Sequence, residues 1–228
     1  MAQETEIKLK ISDQRALLRQ LKKLGARPVG DGSGRVHQDN IIFDTPQGGL
    51  AKHGQLLRIR TETPESGNHK KSPETLKTFL LTFKRPISNP ASSASQTIPK
   101  ARHKVREELE LSIGDARAMS AIFEALGMNG WFRYEKYRTT FRLPGSQSWA
   151  RGLLIELDET PIGTFVELEG PAAAIDRAAA ELGFSRRDYI LKNYLVLYIE
   201  DCKKRGEEPR QMIFPEPKNL SKPSSQKK

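Results

Sequence analysis

The chain of 228 residues contains one cysteine, Cys202, and four scattered histidines. A lone cysteine excludes an internal disulfide and a cysteine-built metal site, and is the usage of a reducing compartment. Cys202 is expected to be a packed helix residue. No apolar run approaches the length that spans a bilayer, and the amino terminus MAQETEIKLK has no apolar core of the kind found in signal peptides. A cytoplasmic location with no membrane partner is therefore expected.

Charge is what the chain has in quantity: 29% of residues are charged, with a formal net charge of +10. Half of that excess falls in one place, because Lys203 to Lys228 holds eight basic residues and three acidic ones. This stretch is rich in Pro, Ser and Lys, with Met212, Ile213 and Phe214 as its one apolar cluster. The expected organisation is a domain over residues 1–204 and a basic, disordered tail over 205–228, pinned by that cluster. Residues 63–77 and 87–103, dense in Ser, Pro and Asn, read as long loops between strands.

The stretch ETEIKLKI, residues 4–11, alternates with period two. Side chains on a strand point to opposite faces in turn, so Glu4, Glu6, Lys8 and Lys10 share one side, while Ile7, Leu9 and Ile11 share the other. Taken alone, it reads as an edge strand with a solvated face. The same pattern recurs, however, in HQDNIIFDT, QLLRIRTE, KTFLLTFKRP, HKVREELEL, WFRYEKYRTTFRL, GLLIELDE and GTFVELEG. About eight such strands are enough to close an antiparallel barrel. Amphipathic helices ending at Gly25, Gly127 and Gly183 pack outside it. The fold class is α+β, and the apolar faces meet the helices while the charged faces point inward.

Charges of both signs inside a barrel need partners. Lys8, Arg58, Arg60, Lys84, Arg106, Lys136 and Arg138 suit a polyanion, the arginine forks matching phosphate oxygens. Glu4, Glu6, Glu108, Glu167 and Glu169 suit divalent cations, and oxygen ligands without a His or Cys cluster indicate Mg2+ or Mn2+. Asp44 reads as a turn or capping residue. Trp131, Tyr134 and Tyr137 read as outer-face packing, and His37, His53, His69 and His103 receive no catalytic role. Cations converging inside a barrel do not suit duplex nucleic acid, so no specific nucleic-acid partner is expected. Oligomeric state is left open.

The ordered set Glu4-Thr5-Glu6-Ile7-Lys8, FDT, LRIR, LTFKRP, REELEL, EKYRTTF and ELDETPIGTFVELEG resembles the CYTH, or triphosphate tunnel metalloenzyme, superfamily over residues 4 to about 200. The resemblance implies an antiparallel tunnel barrel. It also implies Glu4, Glu6, Glu167 and Glu169 as metal ligands, with Glu4, Glu6, Lys8 and Glu169 as the catalytic set, and Glu108 and Glu110 on the acidic middle strand. Glu110 also reads as an ion-pair partner for a neighbouring arginine. Asp158 of the LDE motif matches a metal or water-handling position, and Lys192 a further basic group on a carboxy-terminal helix. The implied activity is metal-dependent hydrolysis of a triphosphate-containing small molecule, foremost inorganic triphosphate. The alternatives are cyclisation of ATP to cyclic AMP and pyrophosphate, as in class IV adenylate cyclases, and noncatalytic polyphosphate binding.

Overall fold

The computed structural model describes residues 2–30, 33–65, 77–87 and 102–216. Nine strands are present: β1 (Ala2–Ile11), β2 (Arg27–Pro28), β3 (Arg35–Asp44), β4 (Leu56–Pro64), β5 (Thr78–Pro86), β6 (Lys104–Ile113), β7 (Asn129–Arg142), β8 (Leu154–Thr160) and β9 (Gly163–Glu169). The helices are α1 (Gln14–Lys23), α2 (Gly49–Lys52), α3 (Ala116–Ala125), α4 (Ala172–Glu181) and α5 (Tyr194–Arg205). Pairing runs β7-β3-β4-β5-β6-β1-β9-β8, and β8 returns to β7 to close an eight-strand antiparallel barrel. The ninth strand, β2, adds two residues to the outside of β7. The expected loops at 63–77 and 87–103 lie largely outside the described residues, although Thr63 and Pro64 belong to β4.

Alternation decides what each face touches. On β1, Ile7, Leu9 and Ile11 point outward and are buried under α1 and α4, against Leu17, Leu21, Ala174, Ile175, Ala178 and Ala179. The small residues of α4 let its backbone approach the strands closely. The helix starts where Pro171 follows Gly170, whose φ of 142° places a would-be Cβ only 2.6 Å from the Gly152 carbonyl oxygen, so no side chain fits there. Asp13 and Asp115 cap α1 and α3 by accepting from Ala16 N–H and from Arg117 and Ala118 N–H. Phe123 of α3 packs edge-on against Phe43, ring centroids 5.1 Å apart.

One end of the barrel is closed by the C-terminal chain. Tyr194, Tyr198 and Cys202 of α5 are buried with Ile42, Phe132, Phe165 and Met212. Cys202 is thus the packed helix residue expected. Two single-residue bridges finish the seams. Ile190 exchanges both backbone hydrogen bonds with Lys8, at 3.0 and 2.9 Å, beyond the point where β6 leaves β1. Met212 pairs beside Tyr134, donating to the Arg133 carbonyl and accepting from Glu135 N–H, where β8 has left β7. Phe214 stacks near Tyr137 at 5.2 Å, while Ile213 faces solvent. The apolar cluster of the tail therefore anchors through two of its three residues.

Because the stabilising core lies outside the strands, Ile155→Ala, at a fully buried outward position of β8, is expected to lower stability by about 2–5 kcal/mol. The measurement is urea denaturation of the two proteins. A loss below about 1 kcal/mol would show that the outer layer is not the main core.

Candidate active site

The inward residues of the eight strands line a cavity of about 270 Å3. Eight cations and seven carboxylates surround it, and their arrangement follows strand order. All seven carboxylates come from the contiguous strands β6, β1, β9 and β8: Glu108, Glu110, Glu4, Glu6, Glu167, Glu169 and Glu156. Arg58 and Arg60 of β4, Lys84 of β5, and Lys136 and Arg138 of β7 form a basic arc opposite. Lys8, Lys104 and Arg106 stand among the acids.

On the basic arc, Arg58 donates to Tyr134 Oη at 3.0 Å and Thr82 Oγ1 at 3.1 Å. Its buried Nε has no acceptor among the described residues. Arg60 Nε donates to Asn40 Oδ1 at 3.1 Å. Arg138 grips Asp158 with two parallel bonds of 2.7 Å and reaches Glu167 at 2.5 Å and Glu156 beside it. Lys136 lies 2.8 Å from the same Asp158. On the acidic arc, Lys84 sits 2.6 Å from Glu4 and 3.3 Å from Glu108, Lys8 is 3.0 Å from Glu167, and Lys104 pairs with Glu6. Glu110 accepts from Thr82 at 2.8 Å, with Arg58 at 3.9 Å.

The lining distorts protonation in both directions. Burial acts to raise Glu6, but the Lys8 and Lys104 ammonium groups outweigh it and hold the carboxyl at about 2. Burial, with Lys8 nearby, pushes Lys104 down to about 8 against the pull of Glu6. The two partners move in the same direction because one carboxylate serves two lysines. Burial would raise Tyr134, yet Arg58, Lys136 and Arg60 bring it down to about 8. Glu167 is held well below the usual range, since Lys8, Lys136 and Arg138 overcome its burial.

Two expected site residues stand elsewhere. Asp158 is fully buried behind the basic arc and does not line the cavity; its oxygens are taken by Arg138, Lys136 and the Tyr194 hydroxyl at 2.7 Å. Its contacts hold the two cations of β7 in position. Lys192 lies in the turn before α5, outside the tunnel, with Nζ 2.5 Å from Glu200. The helix begins at Tyr194, so Lys192 precedes it and is not on the helix as expected. Tyr134 also differs from expectation: it shares parity with Lys136 and Arg138 and is buried in the lumen, while Tyr137 lies outside under Arg35, whose guanidinium is 3.8 Å from its ring centroid, and Trp131 is half exposed. Asp44 caps α2, accepting from Thr45, Leu50 and Ala51 N–H. Lys10 is exposed beyond the lumen. His37, His53 and His103 do not line the cavity, and His69 lies outside the described residues.

Lys104 and Glu156 line the cavity although the sequence reading passed over them. Both were accessible to parity, Lys104 with Arg106 and Glu108, and Glu156 with Asp158. Tyr194 had no such signal, because it enters from the first turn of a helix. Its ring lies 5.2 Å from the Lys8 ammonium and 5.1 Å from that of Lys136.

An eight-strand antiparallel barrel with its apolar side chains outside and charges of both signs inside belongs to the class of tunnel barrels. The chain belongs to the CYTH domain family, which it matches over residues 2–194. It is 28% identical over 205 residues, 85% of this chain and 97% of the relative, to a Methanocaldococcus jannaschii protein named a "putative adenylate cyclase". Among solved structures, a conserved hypothetical protein from Pyrococcus furiosus superposes with a TM-score of 0.59 at 25% identity, covering 85% of this chain and 99% of that one. A Hippeastrum protein described as a "putative adenylyl cyclase" with a dominant triphosphatase activity superposes with a TM-score of 0.51 at 20% identity, over 90% of this chain and 97% of that one. CYTH domain proteins are generally enzymes acting on triphosphates.

Tunnel metalloenzymes of this family use divalent metal ions, and the donor set here fits a hard cation: carboxylates, with no His or Cys. Glu169 is the clearest sign. No cation among the described residues pairs with it, and burial together with the Glu156 and Glu4 carboxylates pushes it up to about 8. A carboxyl raised by like charges marks a place short of positive charge. No three acids among the described residues converge as a ready ligand set, because Lys84, Lys104 and Lys8 hold Glu4, Glu6 and Glu167.

The raised Glu169 has a measurable consequence for the metal-free protein. Its carboxyl titrates near 8 in the fold against 4.5 for an ordinary side chain, so across that window the folded state keeps a proton that the unfolded chain has lost. Its contribution to stability is therefore present at low pH, declines as pH rises through the window, and levels off above about 8. Glu169→Gln is expected to remove this decline in chemical denaturation between pH 5 and 8. Parallel pH profiles for the two proteins would show that Glu169 titrates normally.

Proposed function

We propose that the chain is a divalent-metal-dependent triphosphatase that hydrolyses inorganic triphosphate to pyrophosphate and orthophosphate. The observation that carries this reading is the lumen itself: a cavity of about 270 Å3 whose basic arc faces its acidic arc. That volume lies at the small end of ligand pockets, which run from about 300 to 1,000 Å3, and suits a bare phosphate chain better than a phosphate chain with a nucleoside attached. The Hippeastrum protein's described triphosphatase activity supports the same choice.

In the proposed mechanism Arg58, Arg60, Arg106, Lys136 and Arg138 hold the phosphate oxygens in line. Glu4, Glu6, Glu108, Glu167 and Glu169 would hold Mg2+ or Mn2+, which supplies charge neutralisation on phosphate oxygens and a bound water of lowered pKa. Lys84 and Lys104, which pair with Glu4 and Glu6, would be available to the phosphate chain wherever a cation takes their place on those carboxylates, and Glu169 would serve as a ligand in its deprotonated form. Tyr194 and Asp158 keep Lys136 and Arg138 in place.

Glu6→Gln and Glu169→Gln are expected to lower kcat by about 100-fold or more, since a neutral amide is a poor ligand for a hard cation. Near wild-type rates at saturating metal would remove both from the ligand set. Arg58→Ala is expected to weaken triphosphate affinity by about tenfold or more, the loss of charged hydrogen bonds worth about 1.5–3 kcal/mol.

The name of the Methanocaldococcus jannaschii relative favours a second reading, ATP cyclisation. The basic arc serves either reaction, because hydrolysis and cyclisation both need a gripped triphosphate and differ in the nucleophile, water or a ribose hydroxyl, and in which phosphorus lies in line with it. Product analysis with Mg2+ or Mn2+ separates them. Faster release of orthophosphate and pyrophosphate from inorganic triphosphate than any conversion of ATP is expected. Cyclic AMP plus pyrophosphate from ATP, with little action on inorganic triphosphate, would establish the cyclase instead, and tight binding with no turnover would leave a polyphosphate-binding module.

A further inference from the structure

A second cavity, of about 710 Å3, lies outside the barrel between the outer face of α5, the turn over residues 186–192 and the far end of β1. It shares no lining residue with the tunnel. The chain from Ile190 to Leu195 is the partition: Ile190, Leu191 and Lys192 face this cavity, and Asn193, Tyr194 and Leu195 face the lumen. Its chemistry differs from that of the tunnel. Ile162, Phe165, Ile190 and Leu197 give it an apolar floor, whereas the lumen is lined mainly by charges.

Cations are in surplus around that floor. Both lining carboxylates are already engaged, Glu200 by Lys192 at 2.5 Å and Asp201 by Arg205 at 2.9 Å. Arg186 is held by Asp176 at 2.8 Å. Lys10, Arg102, Arg187 and Lys204 also line the cavity, and none of them has an ion-pair partner among the described residues. Four uncompensated cations over an apolar floor suit one kind of ligand. Inorganic phosphate leaves the floor wet, a neutral apolar molecule leaves the cations unused, and an anion with an apolar body satisfies both.

We propose that this cavity is a second ligand site, separate from the tunnel, for a small organic anion that carries a phosphate-like or sulfonate-like head on an apolar body. The assignment does not depend on which reaction the tunnel runs. It is tested on the full chain with 8-anilinonaphthalene-1-sulfonate as probe, without metal and with inorganic triphosphate in excess. One probe per chain is expected to bind and to stay bound in the presence of triphosphate. The double variant Arg187→Glu with Lys204→Glu, both exposed side chains, is expected to raise the probe Kd by about tenfold or more, and Leu197→Asp to do the same through the floor. Octyl phosphate is expected to displace the probe at concentrations where inorganic phosphate does not. Unchanged affinity in these variants, competitive displacement by triphosphate, or equal displacement by inorganic phosphate would each overturn the proposal.

Discussion

Every charge sealed inside the barrel needs an opposite charge within reach, and the rest of the structure answers to that requirement. A desolvated ion without a partner costs several kcal/mol or more, so strand order is arranged to give the carboxylates of β6, β1, β9 and β8 the ammonium and guanidinium groups that serve them. The pairing is dense, yet uneven: Arg138 is committed to three carboxylates, while Arg106 and Glu169 have no group of opposite sign within ion-pair distance among the described residues. Those two leftovers lie on neighbouring strands of β1, a surplus cation on β6 and a surplus acid on β9. A lumen paired throughout would be stable and closed to ligands. One with an unpaired guanidinium and an unpaired carboxyl that keeps its proton has a reason to take up an anion and, as that proton leaves, a cation.

Period-two alternation carries two messages in the same strand, and this is why so much was legible. Ile155 and Leu157 belong to the outer core, whereas Glu156 lines the lumen between them. Stability and chemistry occupy alternate residues, so a reader who identifies one set has the other by subtraction. The barrel, its strand count and most of the lining followed from parity alone. Tyr134 was misplaced because an aromatic ring was taken for packing against its own parity with Lys136. Asp158 came from the match to the LDE motif, which says nothing of depth, and the two cations in front of it are visible only in three dimensions.

Contributions from outside the strands were harder to read. Tyr194 reaches the lumen from a helix start, where the period changes from two to 3.6 and the direction of one residue depends on where the helix begins. Lys192 is a similar case: it lies in the turn before α5, whose start the sequence pattern does not define, and its side chain meets Glu200 outside the tunnel. The second cavity is likewise assembled from β1, the chain after α4 and α5, and no sequence window contains it.

The closure of β1 has a consequence for the order in which the chain is made. Its neighbours in the barrel, β6 and β9, begin at Lys104 and Gly163, so β1 is synthesised well before either and is among the last strands to acquire both partners. Contacts so distant in sequence form slowly, and through that interval β1 is an unpaired strand edge, the template on which chains aggregate. Glu4, Glu6, Lys8 and Lys10 along one face make it a poor template. The charges that later line a tunnel protect the nascent chain first.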